Sequence, residues 1–436
     1  MSIGAIQKDQ RREHIKHIKN RKEANGPGRS FLGGGKEKFM EKFKYYTPTK
    51  VVFGRETEWQ AGKLVREFGG SRVLVHYGQG SVVKSGLLDR VCDSLEEAGI
   101  PYVLLGGAVP NPRLSLVYEG IDLCRREKVD FLLAVGGGSA IDSAKAIGYG
   151  VCYEGDVWDL YLRKERVKAA LPLGVVLTLA ATGSEMSNSS VITKEEGWEK
   201  RGLNCDLGRP RFAIMNPELT YTLPEYQTMS GCVDIMMHTL ERFFSHEQDT
   251  ELTDYLAEAV LKTVMHNAKI LLKDPQNYNA RAEVFWAGSL SHNGLTGCGR
   301  TGDWACHQLE HELSGMFDVT HGAGLAAIWG SWARYVLHSD VNRFVKLAVD
   351  VLHVPCNYEN PEQTALLGIE AMEDFFSSIH MPTSIPELGV KLDEETIKEL
   401  AYKCSFGETR TVGGMVQLTR ADMEEIYRMA SVPRER

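Results

Sequence analysis

The stretch Phe131-Leu-Leu-Ala-Val-Gly-Gly-Gly-Ser-Ala-Ile-Asp-Ser-Ala-Lys145 decides the fold. Five apolar residues in a row, with no polar alternation, predict a strand covered on both faces, as in a parallel sheet. Three glycines then turn the chain into a helix expected over Ala140–Ile147. Glycine lets the backbone approach a ligand, and the first turn of a helix offers unpaired N–H groups and a favourable dipole to an anion. Gly136, Gly137, Gly138 and Ser139 are therefore candidate phosphate-binding residues. The pattern is not the full G-x-G-x-x-G fingerprint, because Ile141 stands where its last glycine would fall.

The same rhythm extends in both directions. Arg72–Tyr77 reads as a strand, followed by a Gly/Ser turn and a helix over Ser85–Gly99. Tyr102–Leu105 leads through Val109-Pro-Asn-Pro112 into another amphipathic stretch, and Gly174–Thr178 is a fourth buried strand. Strand, turn and helix in repetition predict a mostly parallel sheet with helices on both faces. After Pro224 the period changes to that of helices, over 225–245, 250–273, 278–293, 301–316, 322–338, 340–352, 363–378 and 421–431. The expected architecture is an α/β, Rossmann-like dinucleotide-binding domain over 40–225 and an all-helical domain over 226–436. Residues 1–39 carry ten Lys/Arg against four Asp/Glu and a glycine-rich end. They read as a disordered basic extension, with Met40 as an internal start and organelle targeting as the lesser alternative.

Composition narrows the function classes. A formal net charge of −8 over 436 residues gives no support for nucleic-acid binding. No run approaches 18 apolar residues, so no membrane span is expected. Nine scattered cysteines, none in a C-x-x-C pair, fit a reduced, cytoplasmic protein.

Two further constellations carry chemistry. The turn Gly78-Gln79-Gly80-Ser81 follows the first strand of the sheet, where an acid would meet the ribose of NAD. It has none, and Lys84 follows closely, which favours NADP(H) over NAD(H). In the helical half, Asp234 and His238 stand four apart, as do His307 and His311, and His321 opens another segment. One-turn spacing puts such groups on one helical face, where they can reach one cation. His307-Gln-Leu-Glu-His311 also matches the H-x-x-E-H pattern of zinc proteases, with Glu310 as base. That reading leaves the glycine-loop sheet and Asp234/His238 without a role, and Glu310 could simply face solvent.

Taken together, residues 40–436 resemble the iron-containing (group III) alcohol dehydrogenase family, nearest its butanol dehydrogenase-like aldehyde reductases. The resemblance rests on Thr47-Pro-Thr-Lys-Val-Val-Phe-Gly54, Pro110-Asn-Pro112, Gly136–Asp142, Thr178-Leu-Ala-Ala-Thr-Gly-Ser-Glu185, Asp234/His238 and His307…His311…His321. It implies a dehydroquinate synthase-like architecture and hydride transfer between a nicotinamide and a short- to medium-chain aldehyde or alcohol. It implies metal ligation by Asp234, His238, His307 and His321, with Fe(II) expected and Zn(II) as the alternative, and His311 as a proton relay. Thr178, Thr182 and Asp142 correspond to positions at the cofactor, and Lys200 to a partner of a 2′-phosphate. A homodimer is implied as well. The glycerol dehydrogenase and dehydroquinate synthase group shares the architecture and is the second reading. Asn188, Trp304, Phe317 and the loop near Gly407–Gly414 are expected to line the substrate pocket.

Overall fold

The computed structural model describes residues 39–247 and 249–433. The basic stretch before Phe39, with the expectations attached to it, lies outside the described residues. The strands are β1 Lys50–Phe53, β2 Val73–Gly78, β3 Tyr102–Ala108, β4 Phe131–Gly136, β5 Leu173–Leu177, β6 Ser189–Lys194, β7 Glu199–Asn204 and β8 Phe212–Met215. Six of them form one sheet in the order β1-β8-β5-β4-β2-β3, with every neighbouring pair parallel.

Strand β4 shows why an unbroken apolar run belongs here. Phe131, Leu133 and Val135 enter the core on one face of the sheet, Leu132 and Ala134 the core on the other, and none is exposed. The helices of this half are α1 Ala61–Glu67, α2 Ser81–Lys84, α3 Leu87–Glu97, α4 Leu114–Glu127, α5 Gly138–Val151 and α6 Val157–Tyr161. The helix expected over 85–99 is α3, and the short α2 occupies the turn before it; Gly86, at φ 68°, separates the two in a left-handed conformation that costs glycine little.

Connectivity makes the crevice. From β2 the chain adds β3 on one side, whereas β4, β5 and β8 extend the sheet on the other. The carboxyl ends of β2 and β4 therefore flank a topological switch point, where ligands of open α/β sheets bind. Strands β6 and β7 were not anticipated. They form a separate antiparallel hairpin, from Ser189↔Asn204 to Lys194↔Glu199. Asp142 of α5 anchors it, accepting from the Val191 N–H at 2.9 Å and from the Ser184 hydroxyl at 2.6 Å.

The helical half comprises α7 Glu225–Phe243, α8 Glu251–Lys273, α9 Tyr278–His292, α10 Ala305–Phe317, α11 His321–Val336, α12 Val341–Lys346, α13 Pro361–Ser378, α14 Glu394–Cys404 and α15 Arg420–Ala430. Helix α14 was not anticipated, although its buried stripe of Ile397, Leu400, Ala401 and Cys404 has helical spacing. Helices α7 and α11 are covered nearly all round, with Trp329 and Trp332 of α11 filling the centre. Among the described residues no helix is long and apolar enough to cross a membrane. All nine cysteines are free thiols.

Candidate active site

A cleft of about 890 Å³ runs from the α5 N-terminus to helices α7, α10 and α11. Gly138, Ser139 and Thr182 line one part, and Asp234, His307 and His321 another. Gly138 has to be glycine: a Cβ there would lie 2.5 Å from the Thr182 hydroxyl.

Three helices deliver the polar cluster. Asp234 Oδ1 stands 3.9 Å from His307 Nε2 and 3.7 Å from His321 Nε2. One ligating atom from each of these three residues lies within 4.8 Å of the other two. His238, one turn along α7, has Nδ1 3.3 Å from Asp234 Oδ1. It lies beside these three, its ring packed against His307 and His292 at centroid distances of 4.6 and 4.0 Å. Asp234 Oδ1, His238 Nδ1 and His307 Nε2 are buried with no hydrogen-bond partner in the protein. Buried polar atoms are nearly always partnered, so a convergent set without partners points to a ligand. A carboxylate oxygen among imidazole nitrogens suits a first-row divalent cation.

Burial tunes the donors. It pushes the His238 imidazole well below its ordinary pKa, keeping the ring neutral and able to ligate. It pushes the Asp234 carboxyl upward, opposed by His321 and His307. Two carboxylates orient the rings from behind. Glu241 Oε1 accepts from both the backbone N–H and Nδ1 of His307, each at 2.9 Å. Glu310 Oε2 is hydrogen-bonded to His321 Nδ1. Both bonds hold the tautomer that leaves Nε2 turned to Asp234.

Glu310 corrects the expectation that it faces solvent. It is fully buried, with the Lys200 ammonium 3.6 Å away. Bound through Oε2 to His321 and closed off from solvent, it is not placed to act as the base of a zinc protease. Lys200 also departs from its expected role. Its Nζ donates to Asn111 Oδ1 at 2.9 Å and Ser314 Oγ at 2.7 Å, beside Glu310, so it is not free for a 2′-phosphate. Asp142 borders the cleft, but both its oxygens are engaged by protein donors.

His311 lines the cleft 5.7 Å from His321 and 6.5 Å from His307, ring to ring. Burial pushes its pKa well below the usual histidine value. Gly138, Ser139 and Thr182 line the cleft; Gly136, Gly137 and Thr178 stand behind them, Thr178 donating its N–H to the Gly136 carbonyl. The turn Gly78–Ser81 caps α2 at the carboxyl end of β2 and does not line the cleft. Asn188, Trp304, Gly407 and Arg410 line it as expected, whereas Phe317, at the end of α10, packs against the helical core.

Sequence reasoning missed three supporting groups. Glu241 lies three residues after His238, a spacing that could have flagged it. Arg242 donates to the His238 carbonyl at 2.7 Å and lies over the Trp304 ring. Lys145, fully buried, donates to the carbonyls of Ser184, Ser187 and Ser189 at 2.7–3.1 Å and shapes the loop on the cleft's edge.

Comparison with known proteins gives the same picture. Residues 48–217 match the model of the iron-containing alcohol dehydrogenase family, and 228–431 that of its C-terminal region. The chain belongs to the iron-containing alcohol dehydrogenase family. It is 42% identical to a probable NADH-dependent butanol dehydrogenase 2 of Bacillus subtilis, over 84% of this chain and 93% of the relative. It is 34% identical to the NADPH-dependent aldehyde reductase YqhD of Escherichia coli, over 90% of this chain and all of the relative. The crystal structure of NADH-dependent butanol dehydrogenase A from Thermotoga maritima superimposes with a TM-score of 0.87 at 37% identity, covering 91% of this chain and all of that one. The family implies NAD(P)(H) and a divalent metal, and both the helix start at Gly138 and the donor set at Asp234 accord with that.

Proposed function

We propose that this chain is a metal-dependent NAD(P)(H) alcohol dehydrogenase and aldehyde reductase acting on short- to medium-chain aldehydes and alcohols. The observation that carries the reading is the convergence of buried, unpartnered Asp234 and His307 atoms with His321 in the cleft that also holds the α5 N-terminus. Asp234, His238, His307 and His321 hold the cation, with Fe(II) expected and Zn(II) as the alternative. A bound divalent cation supplies electrophilic polarisation of a carbonyl oxygen. Gly138 and Ser139 offer backbone N–H groups to the cofactor pyrophosphate. Thr182 packs beside them, and His311 moves the proton to or from the alcohol oxygen. The α/β half, 40–225, takes the dinucleotide, and the helical half, 226–436, the metal. The active species is a cytoplasmic homodimer.

For the cofactor, NADP(H) is preferred over NAD(H), supported by the absence of an acid in Gly78–Ser81. Relatives are named for either cofactor, NADH in Bacillus and NADPH in Escherichia. With Lys200 engaged elsewhere, that turn is the remaining support for NADP(H).

The test follows absorbance at 340 nm with NADPH or NADH and butanal, after chelation and after adding back Fe(II) or Zn(II). Aldehyde-dependent oxidation that needs the metal is expected; none under any metal condition refutes the reading. His307→Ala should lose metal, whereas His311→Ala should keep metal and lose rate. Equal loss of metal would overturn the division of roles.

A further inference from the structure

The cleft has a second cluster of charge, away from the α5 N-terminus. Arg201 of β7 and Arg410 of the loop after α14 both stack on the ring of Phe406, their guanidinium carbons 4.5 and 3.4 Å from its centroid. Phe406 is 39% exposed and holds this position at φ 49°. Arg163, also left-handed at φ 59°, lines the same cleft and acts electrostatically on Arg410, as Arg201 does. Lys403 completes the group.

The negative charge nearby does not balance it. Glu312 is buried and pairs with Arg201 at 3.1 Å, with Glu199 at 3.8 Å from the same guanidinium. Lys403 pairs with Glu399 at 3.0 Å. Arg163 and Arg410 form no ion pair among the described residues. Burial lowers the Arg410 pKa, opposed by Cys404 and Glu312, with the Arg201 and Arg163 guanidiniums adding to the lowering. A buried Arg among like charges is costly unless an anion joins it. The cluster adjoins the reacting end of the cleft: Arg410 acts electrostatically on His311, and Glu312 follows His311 directly on α10.

We propose, building on the reductase reading above, that Arg410 and Arg163 receive the carboxylate of the substrate, with the Arg201–Glu312 pair beside them, so that the enzyme prefers aldehydes carrying a terminal carboxylate to uncharged ones. Planar guanidiniums suit a carboxylate because they can present paired N–H groups to its two oxygens. Phe406 holds the two stacked guanidiniums in place, Arg201 paired with Glu312 and Arg410 donating Nε to the Cys404 carbonyl at 2.8 Å, and both residues line the cleft. Carboxylate binding orients the aldehyde end towards His311 and His321, and the charge pairing weakens with salt.

The experiment compares 4-oxobutanoate with butanal, equal in carbon number, in the metal-loaded enzyme with each nicotinamide cofactor. The expected kcat/KM is at least tenfold higher for the oxo acid at low salt, with the ratio falling as salt rises. Arg410→Gln and Arg410→Lys should each lower kcat/KM for the oxo acid at least fivefold more than for butanal, Gln more than Lys. Butanal reduced as well as the oxo acid, or equal losses for both substrates, overturns this proposal and leaves the reductase reading standing. No reduction of either aldehyde instead overturns the reductase reading. If Arg410→Gln raises KM for NADPH and not NADH while the substrate ratio stays fixed, the cations serve the cofactor phosphate and the proposal fails.

Discussion

Replacing Glu310 with Gln tests whether the carboxylates behind the histidines govern metal binding. In the native site Glu310 Oε2 accepts from His321 Nδ1 and faces the Lys200 ammonium at 3.6 Å, with no exposure to solvent. Both neighbours are donors. Both approach the same oxygen, Oε2, and in glutamine that atom becomes a neutral carbonyl oxygen. A hydrogen bond to a charged group contributes about 1.5–3 kcal/mol. Losing it releases the His321 tautomer and rotation, so metal affinity should fall about 10–100-fold, the usual range for partners of metal-ligating histidines. Lys200, buried beside it, loses its counter-charge, so the metal-free protein should also melt earlier. The assay is competition for Zn(II) against a chromophoric chelator, with thermal melts of the metal-free protein alongside. Adding Lys200→Met to the variant should recover part of the melting temperature and none of the metal affinity. A metal affinity within twofold of the native protein would refute the reasoning, whatever happened to stability.

Two other perturbations read different parts of the site. Gly138→Ala places a methyl carbon 2.5 Å from the Thr182 hydroxyl, so the cofactor KM should rise about tenfold or more, with metal affinity unchanged; an unchanged KM in steady-state kinetics would show that the turn does not approach the cofactor. Lys145 has its pKa lowered from 10.5 to about 8 by burial, against the pull of Asp142 and Glu185. A lowered folded-state pKa means the unfolded chain binds the proton more tightly, so the penalty is complete below about pH 8 and disappears by pH 10.5. The contribution of Lys145 to stability should therefore rise by about 3 kcal/mol across that window. Lys145→Met should be less stable, because three carbonyls lose their donor, and the stability gap to the native protein should widen from pH 8 to 10. A gap independent of pH, measured by denaturant titration, would contradict this.

The sequence by itself determined the sheet, the helical half and the residue types of the site. A five-residue apolar run ending in a glycine turn is too short for a buried helix and reads as a strand covered on both faces, and β4 is one. One-turn spacing brought Asp234 and His238, and His307 and His311, to common helical neighbourhoods before any contact was known. The hairpin β6–β7 was not legible, because Ser189–Lys194 and Glu199–Asn204 are too polar to show a buried period; their partners are the side chain of Asp142 and the cleft itself. Helix α14 was legible in the i, i+3, i+4, i+7 stripe of Ile397, Leu400, Ala401 and Cys404 and was overlooked. The division of labour among the polar groups belonged to the tertiary structure alone. Glu310 reads as a surface residue from local pattern, yet α10 packs it against Gly324 of α11 and under His321, and Lys200 arrives from a strand 110 residues earlier in the chain. Spacing along a helix fixes which side chains share a face. What that face meets depends on the packing of distant elements, and there desolvation and pairing decide which carboxylate faces the cation, which supports a histidine, and which lysine is already taken.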